Sequence, residues 1–263
     1  MIDFTNKKIK TYSLVGSRAT FGLVMNEIAE KNNNLMVLTA DVSTSAGLDK
    51  YRNNHKDKYL DIGIAEQNMI SLSAGMASEG KIPIVYTIIP FLVMRAYEQI
   101  RVDIGINGQN VILVGVGGGL AYDKLGSTHH ACEDIALMNT IPNLDVYTPF
   151  DPNNVKTCLK EAYLSSINNN RSSYIRLSKG GEDNINDVFM LSQNIYLLAS
   201  DRISDKIVVS HGSIGKKFLN YIEGQEHQIT NISITKFDEK TVKELASFIL
   251  NLRENTRIIF MEE

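Results

Sequence analysis

Apolar runs of strand length, at 35–39, 82–89 and 111–116, with further strands at 144–147 and 173–177, alternate with helix-length amphipathic stretches. Nothing else in the chain constrains its fold as tightly. Parallel strands need a crossover, usually a helix, between them, and strands buried on both faces read as unbroken apolar runs. The pattern predicts an α/β fold, an open, mostly parallel sheet with helices on both faces. Residues 19–31, ATFGLVMNEIAEK, put Phe21, Val24, Met25 and Ile28 on one helical face. After the run at 144–147, Asp151 suits a helix N-cap and Pro152 the first helical position. Residues 178–194, SKGGEDNINDVFMLSQN, are polar with two adjacent glycines and read as a linker. A smaller α/β unit follows, with strands at 206–210, 230–235 and 257–261 and helices at 214–222 and 239–252. The expected domains are 1–180 and 195–263.

Composition excludes several classes of function. A formal charge of −3 gives no reason to expect nucleic acid, and no Lys/Arg cluster suggests a membrane surface. No apolar run approaches a membrane span. The opening MIDFTNKKIKTYS lacks the hydrophobic segment and small-residue cleavage site of a secretory signal. Cys132 and Cys158 have no paired spacing, so free thiols in a reducing compartment, the cytoplasm, are expected.

The chemistry concentrates in 61–101, DIGIAEQNMISLSAGMASEGKIPIVYTIIPFLVMRAYEQIR. Glu66 follows a small apolar turn and opens a segment of Ser, Ala, Gly and Met, whose small side chains let a helix approach its neighbours closely. A strand at 82–89 ends at Pro90, and a helix from Phe91 carries Arg95, Glu98 and Arg101. A carboxylate and an aromatic ring thus arrive at the ends of consecutive elements, where open α/β sheets collect ligands. A capped helix start and a core phenylalanine would also satisfy the pattern. The glycine-rich loop GVGGGLAYDKLG meets neither the dinucleotide nor the nucleotide-triphosphate register. A tight turn and close ligand approach both remain open for it. HHACED at 129–134 is not a metal cluster, because adjacent residues cannot all face one ion and no second ligand pair with zinc spacing occurs.

GIAEQNM, GMASEGKIPIVYTIIPF and RAYEQIR, followed in order by STHHACEDIALM and IPNLDVYTP, resemble the pyrimidine-binding domain of the transketolase family of thiamine diphosphate enzymes. The resemblance runs from about Gly16 to Lys179 and continues more weakly to the end. It implies that Glu66 hydrogen-bonds a ring nitrogen of the cofactor's aminopyrimidine, and that Phe91 stacks on that ring beside Ile88. It implies that His129 reaches a reacting substrate oxygen, where an imidazole can give or take a proton. His130 stands at a variable position and is left structural. Arg176 matches a phosphate-contacting arginine, a role that suits a rigid donor fork. A strand-end ion pair is its other reading. Arg18 and Ser45 fall near further phosphate-contacting positions.

Departures from the family pattern accompany these matches. Leu125 stands where typical transketolases carry a sugar-recognising Asp, and Gly117 stands at the spacing of a second His. The family's C-terminal domain continues past a Glu-Glu like Glu262-Glu263, so either the second unit is shortened or the sequence stops within it. No Gly-Asp-Gly, the family's motif for the Mg2+ or similar divalent ion that holds the diphosphate, occurs in the 263 residues. The resemblance therefore implies a C-terminal subunit that pairs with an N-terminal transketolase-like subunit, acting on sugar or sugar phosphate substrates in a heterotetramer. Three alternatives stand beside two-carbon ketol transfer. They are a deoxyxylulose-phosphate synthase-like activity, a 2-oxo-acid dehydrogenase β-subunit role, and a non-catalytic partner that kept the fold.

Overall fold

The computed structural model describes residues 15–180, 182–199, 202–223 and 229–262. The signal-free opening read from residues 1–13 and the final Glu263 lie outside the described residues. Seven strands form the larger sheet: β1 (Leu35–Thr39), β2 (Tyr59–Asp61), β3 (Ile82–Ile88), β4 (Ile112–Val116), β5 (Leu144–Tyr147), β6 (Ser172–Leu177) and β11 (Lys236–Phe237). Their order is β11-β5-β6-β4-β3-β1-β2. Every pairing is parallel except β11 with β5. The expected α/β architecture is the one observed.

Burial on both faces explains the unbroken apolar strands. One face packs Phe21, Val24, Met25 and Ile28 from the helix Gly16–Ala29 with Leu159 and Tyr163 from the helix Pro152–Asn169. The other packs Met69 and Ile70 from the helix Glu66–Ser78 with Leu92, Ile100 and Met138. Asp151 caps Pro152–Asn169 through a 2.7 Å bond accepted from the Asn154 amide.

Two expectations need correction. The helix from Phe91 exists, but it is wound as π-helix over Pro90–Met94 and Ile100–Ile106, with one α-helical turn, Tyr97–Gln99, between. The 178–194 segment is not all linker. Val188–Ser192 forms strand β7, antiparallel to β8 (Ile195–Leu198), in a five-stranded sheet with β9 (Lys206–His211), β10 (Thr230–Ile234) and β12 (Arg257–Met261). β7 is an edge strand whose central Phe189, Met190 and Leu191 are all exposed, so it lacks the alternation that marks a half-buried strand.

The two sheets are stitched together. Thr148 donates its amide to Thr235 O at 2.9 Å and its hydroxyl to Ile234 O at 3.1 Å. Lys236 pairs with Tyr147 in register and reaches Asp145 at 3.2 Å. Among the described residues no helix is long and apolar enough to cross a membrane.

Candidate active site

The strand order reverses direction beside β1, and ligands of open α/β sheets bind at the carboxyl ends of strands near such a point. Those ends carry the candidates. Asp41 to Ser45 follow β1, Glu66 follows β2, Phe91 follows β3, the glycine-rich loop and His129 follow β4, and Lys179 follows β6.

Asp61 builds the turn that delivers Glu66. Its Oδ1 accepts from the amides of Gly63 (2.9 Å) and Asp41 (3.0 Å), and its Oδ2 from Tyr59 and Thr39. Burial alone would raise the Asp61 pKa, yet these hydrogen bonds to its charged form bring it below the usual carboxylate range. Gly63 sits at φ +71°, a left-handed conformation that glycine adopts without strain. The chain then enters the helix at Glu66, whose N-cap Ala65 supplies no side-chain cap.

Glu66 is 3% exposed, too buried to be only a solvated helix-dipole acid. Its Oε2 accepts from Arg95 Nη1 at 2.8 Å. The Arg95 guanidinium also lies 4.3 Å from the Phe91 ring centroid. Phe91 meets His129 edge-on with centroids 5.1 Å apart, and His129 meets Tyr122 at 6.1 Å. Lys179 Nζ stands 5.0 Å from the Tyr122 centroid. An acid, a cation, three rings and a second cation thus form one continuous row. Ile88 closes β3, half-buried against the core.

The two adjacent histidines diverge. His129 shares a 3.0 Å hydrogen bond with Thr128 Oγ1 and faces the two rings, whereas His130 Nε2 points to Asp123 O at 3.4 Å. The loop that carries them is closed by a two-bond bridge between Gly119 and Ala131, both bonds 2.9 Å.

Two glycines explain the glycine-rich loop. A Cβ on Gly117, which has φ +88°, would fall 2.1 Å from the Tyr122 ring, and one on Gly118 would fall 2.5 Å from the Arg176 guanidinium carbon. The loop is a floor that seats a ring and an arginine.

Arg176 is one of the most buried charges of the described chain, with its side chain 1% exposed. Its Nε reaches Asp134 Oδ2 at 3.0 Å and its Nη2 reaches Ala131 O at 3.2 Å, while Tyr174 donates to Asp134 at 2.6 Å. Burial raises the Asp134 pKa, and Arg176 with Tyr174 opposes that shift. Arg176 thus links the Asp134 carboxylate to the Ala131 carbonyl, where the loop that carries His129 closes. Arg18 lies beside Gly180, where an added Cβ would fall 3.1 Å from its Nε. Ser45 is exposed and donates to Val42 O at 2.8 Å. Neither joins the Glu66–Phe91–His129 row by a hydrogen bond that the described residues show.

Sequence reasoning gives no role to Arg95, Tyr122 or Lys179. The four-residue spacing from Phe91 to Arg95 is a usable signal for the first. Tyr122 and Lys179 come together only through the parallel pairing of β4 with β6. Among the described residues no group of three or more His, Cys, Asp or Glu side chains could hold a metal ion.

Residues 15–181 match the model of the transketolase pyrimidine-binding domain. The chain is 32% identical over 148 residues to one subunit of the apulose-4-phosphate transketolase of Phocaeicola vulgatus, covering 56% of this chain and 47% of the relative. It is 28% identical over 232 residues to a 6-deoxy-6-sulfo-D-fructose transketolase subunit of Clostridium sp., covering 86% of this chain and 70% of the relative. Against the first of these the chain spans about half the relative's length. A solved split-gene transketolase, described as an inactive β4 tetramer, superposes with a TM-score of 0.73 at 24% identity, over 95% of this chain and 79% of that one. At that identity the superposition speaks for the fold alone. The family model spans well over half the chain and contains every residue of the row just described, and on that ground the chain belongs to the transketolase pyrimidine-binding domain family.

Proposed function

We propose that this chain is the C-terminal subunit of a split, thiamine diphosphate-dependent transketolase that moves a two-carbon ketol unit between sugar phosphates or related carbohydrates. One observation carries the reading: a nearly fully buried acid, Glu66, tied through Arg95 to the ring of Phe91 at the carboxyl ends of neighbouring strands. A buried carboxylate beside an aromatic ring suits a flat, basic heteroaromatic ligand, so the residues present fit an aminopyrimidine. Bound there, thiamine diphosphate supplies the carbon nucleophile that takes up and releases the two-carbon unit.

The protein's part is to hold, orient and protonate. Glu66 shares a hydrogen bond with a pyrimidine nitrogen, and Phe91 and Ile88 give that ring apolar walls. His129, held between Phe91 and Tyr122, exchanges a proton with a substrate oxygen. Arg18 and Ser45 take the substrate's phosphate side, and Lys179 adds a second cation there. Arg176 has a partner in Asp134, so its part is to hold the His129 loop in place.

The metal and diphosphate belong to a second polypeptide in this reading. The sequence contains no Gly-Asp-Gly, and the relatives named as subunits support a divided enzyme. A heterotetramer on a two-fold axis follows from the prevalence of closed two-fold assemblies. Calorimetry tests the division. The chain alone should bind thiamine diphosphate with Mg2+ weakly or not at all, and the complex with its N-terminal partner should bind it tightly. Tight binding by the isolated chain would overturn the split-subunit reading.

A further inference from the structure

We propose that Arg95 is a positioning residue that sets the Glu66 carboxylate and the Phe91 ring as one unit for the pyrimidine contact; this rests on the cofactor reading above. Glu66 is 3% exposed, and the Arg95 side chain, at 44%, reaches it from the solvent side. The pair is therefore unlike an exposed ion pair, which contributes little. A buried carboxylate with one cationic partner depends on that partner for its rotamer, since breaking such a pair leaves an uncompensated charge.

The same guanidinium lies 4.3 Å from the Phe91 centroid, within the range of a cation–π contact. A planar fork can bond edge-on to a carboxylate and stack flat on a ring at once, which an ammonium cannot do. One side chain thus fixes two groups that come from different elements, 25 positions apart by subtraction of 66 from 91.

The helix winding supports the arrangement. Arg95 N bonds to Pro90 O at 3.2 Å, an i→i+5 closure, and Pro90–Met94 is π-helical. The wider turn brings residues four apart closer to lying directly above one another, so Arg95 stands over Phe91. Single π turns inside helices occur frequently at functional sites. His129 completes the row by resting edge-on against the ring that Arg95 covers. Movement of Arg95 would therefore reach the imidazole through Phe91.

The test has an arm that needs neither cofactor nor partner. In the isolated chain, NMR follows the ring-proton resonances of His129, which report the Phe91 ring current. Arg95→Gln should move them, Arg95→Lys should move them less, and the amide resonances far from the site should stay those of the wild-type fold. In the complex with the N-terminal subunit, Arg95→Gln should weaken thiamine diphosphate binding about tenfold. In a Glu66→Gln background the same substitution should cost less than about twofold, because the two residues act as a unit. Unmoved His129 resonances, or additive losses in the double variant, would overturn the positioning role and leave the proposed function standing. A wild-type complex that fails to bind the cofactor would remove both.

Discussion

Replacing Arg176 with alanine separates a buried brace from a phosphate contact. The substitution strands Asp134, whose side chain is 1% exposed, without its guanidinium partner, and it leaves the Ala131 carbonyl with the Gly119 amide alone. Tyr174 still donates to the carboxylate, but a hydroxyl does not neutralise a charge. Removing one partner of a buried ion pair costs about 3–5 kcal/mol. Domains are stable by only about 5–15 kcal/mol, so the loss should dominate the unfolding curve. At a urea m-value of about 2.5 kcal/mol/M the midpoint should fall by about 1–2 M. Arg171→Ala is the control. Its arginine is 39% exposed, and Asp145 keeps Lys236, so the midpoint should move by less than about 0.5 M. Adding Asp134→Asn to Arg176→Ala removes the stranded charge and should recover part of the loss. An unchanged midpoint for Arg176→Ala, together with a raised Michaelis constant for a phosphorylated substrate, would refute the brace and reinstate the phosphate contact.

Two further outcomes follow from the geometry. His129→Ala should lower turnover by about a hundredfold or more with little effect on cofactor affinity, whereas His130→Ala, aimed at the Asp123 carbonyl, should be nearly silent; equal effects in steady-state kinetics would contradict the divergence of the two rings. His211 should make stability depend on pH: burial, reinforced by Arg176, lowers its pKa from 6.5 to about 4, so the unfolded chain binds the extra proton between those values. Stability should fall by about 2 kcal/mol from this residue as the pH drops from 7 to 5, and His211→Asn should flatten that limb of the urea-denaturation profile.

The sequence made the sheet legible wherever burial on two faces forced continuous apolar runs, as in β1 and β4. Asp151 and Pro152 announced their helix because a cap and an N1 proline act within four residues. β7 was hidden because its partner, β8, lies outside the segment read as a linker and its own side chains are exposed. β11 was hidden because two residues joining a distant sheet have no periodicity. The site divides in the same way. Glu66, Phe91 and His129 stand in recognisable local patterns. The Arg95 bond to Glu66 spans 29 positions, and the Arg176 bond to Asp134 spans 42, so their partners emerge only when the chain is folded.

The central claim is that Glu66 is the acid of a shared cofactor site, and hydrogen exchange at the reactive carbon of thiamine diphosphate tests it most directly. In the reconstituted complex, Glu66→Gln keeps the shape of the side chain and removes its acid. Exchange should slow by about a hundredfold or more, the scale of a positioned acid or base, while the melting temperature stays close to wild type. Exchange at the wild-type rate in a folded Glu66→Gln complex would contradict the claim and leave Glu66 as the buried partner of Arg95 alone.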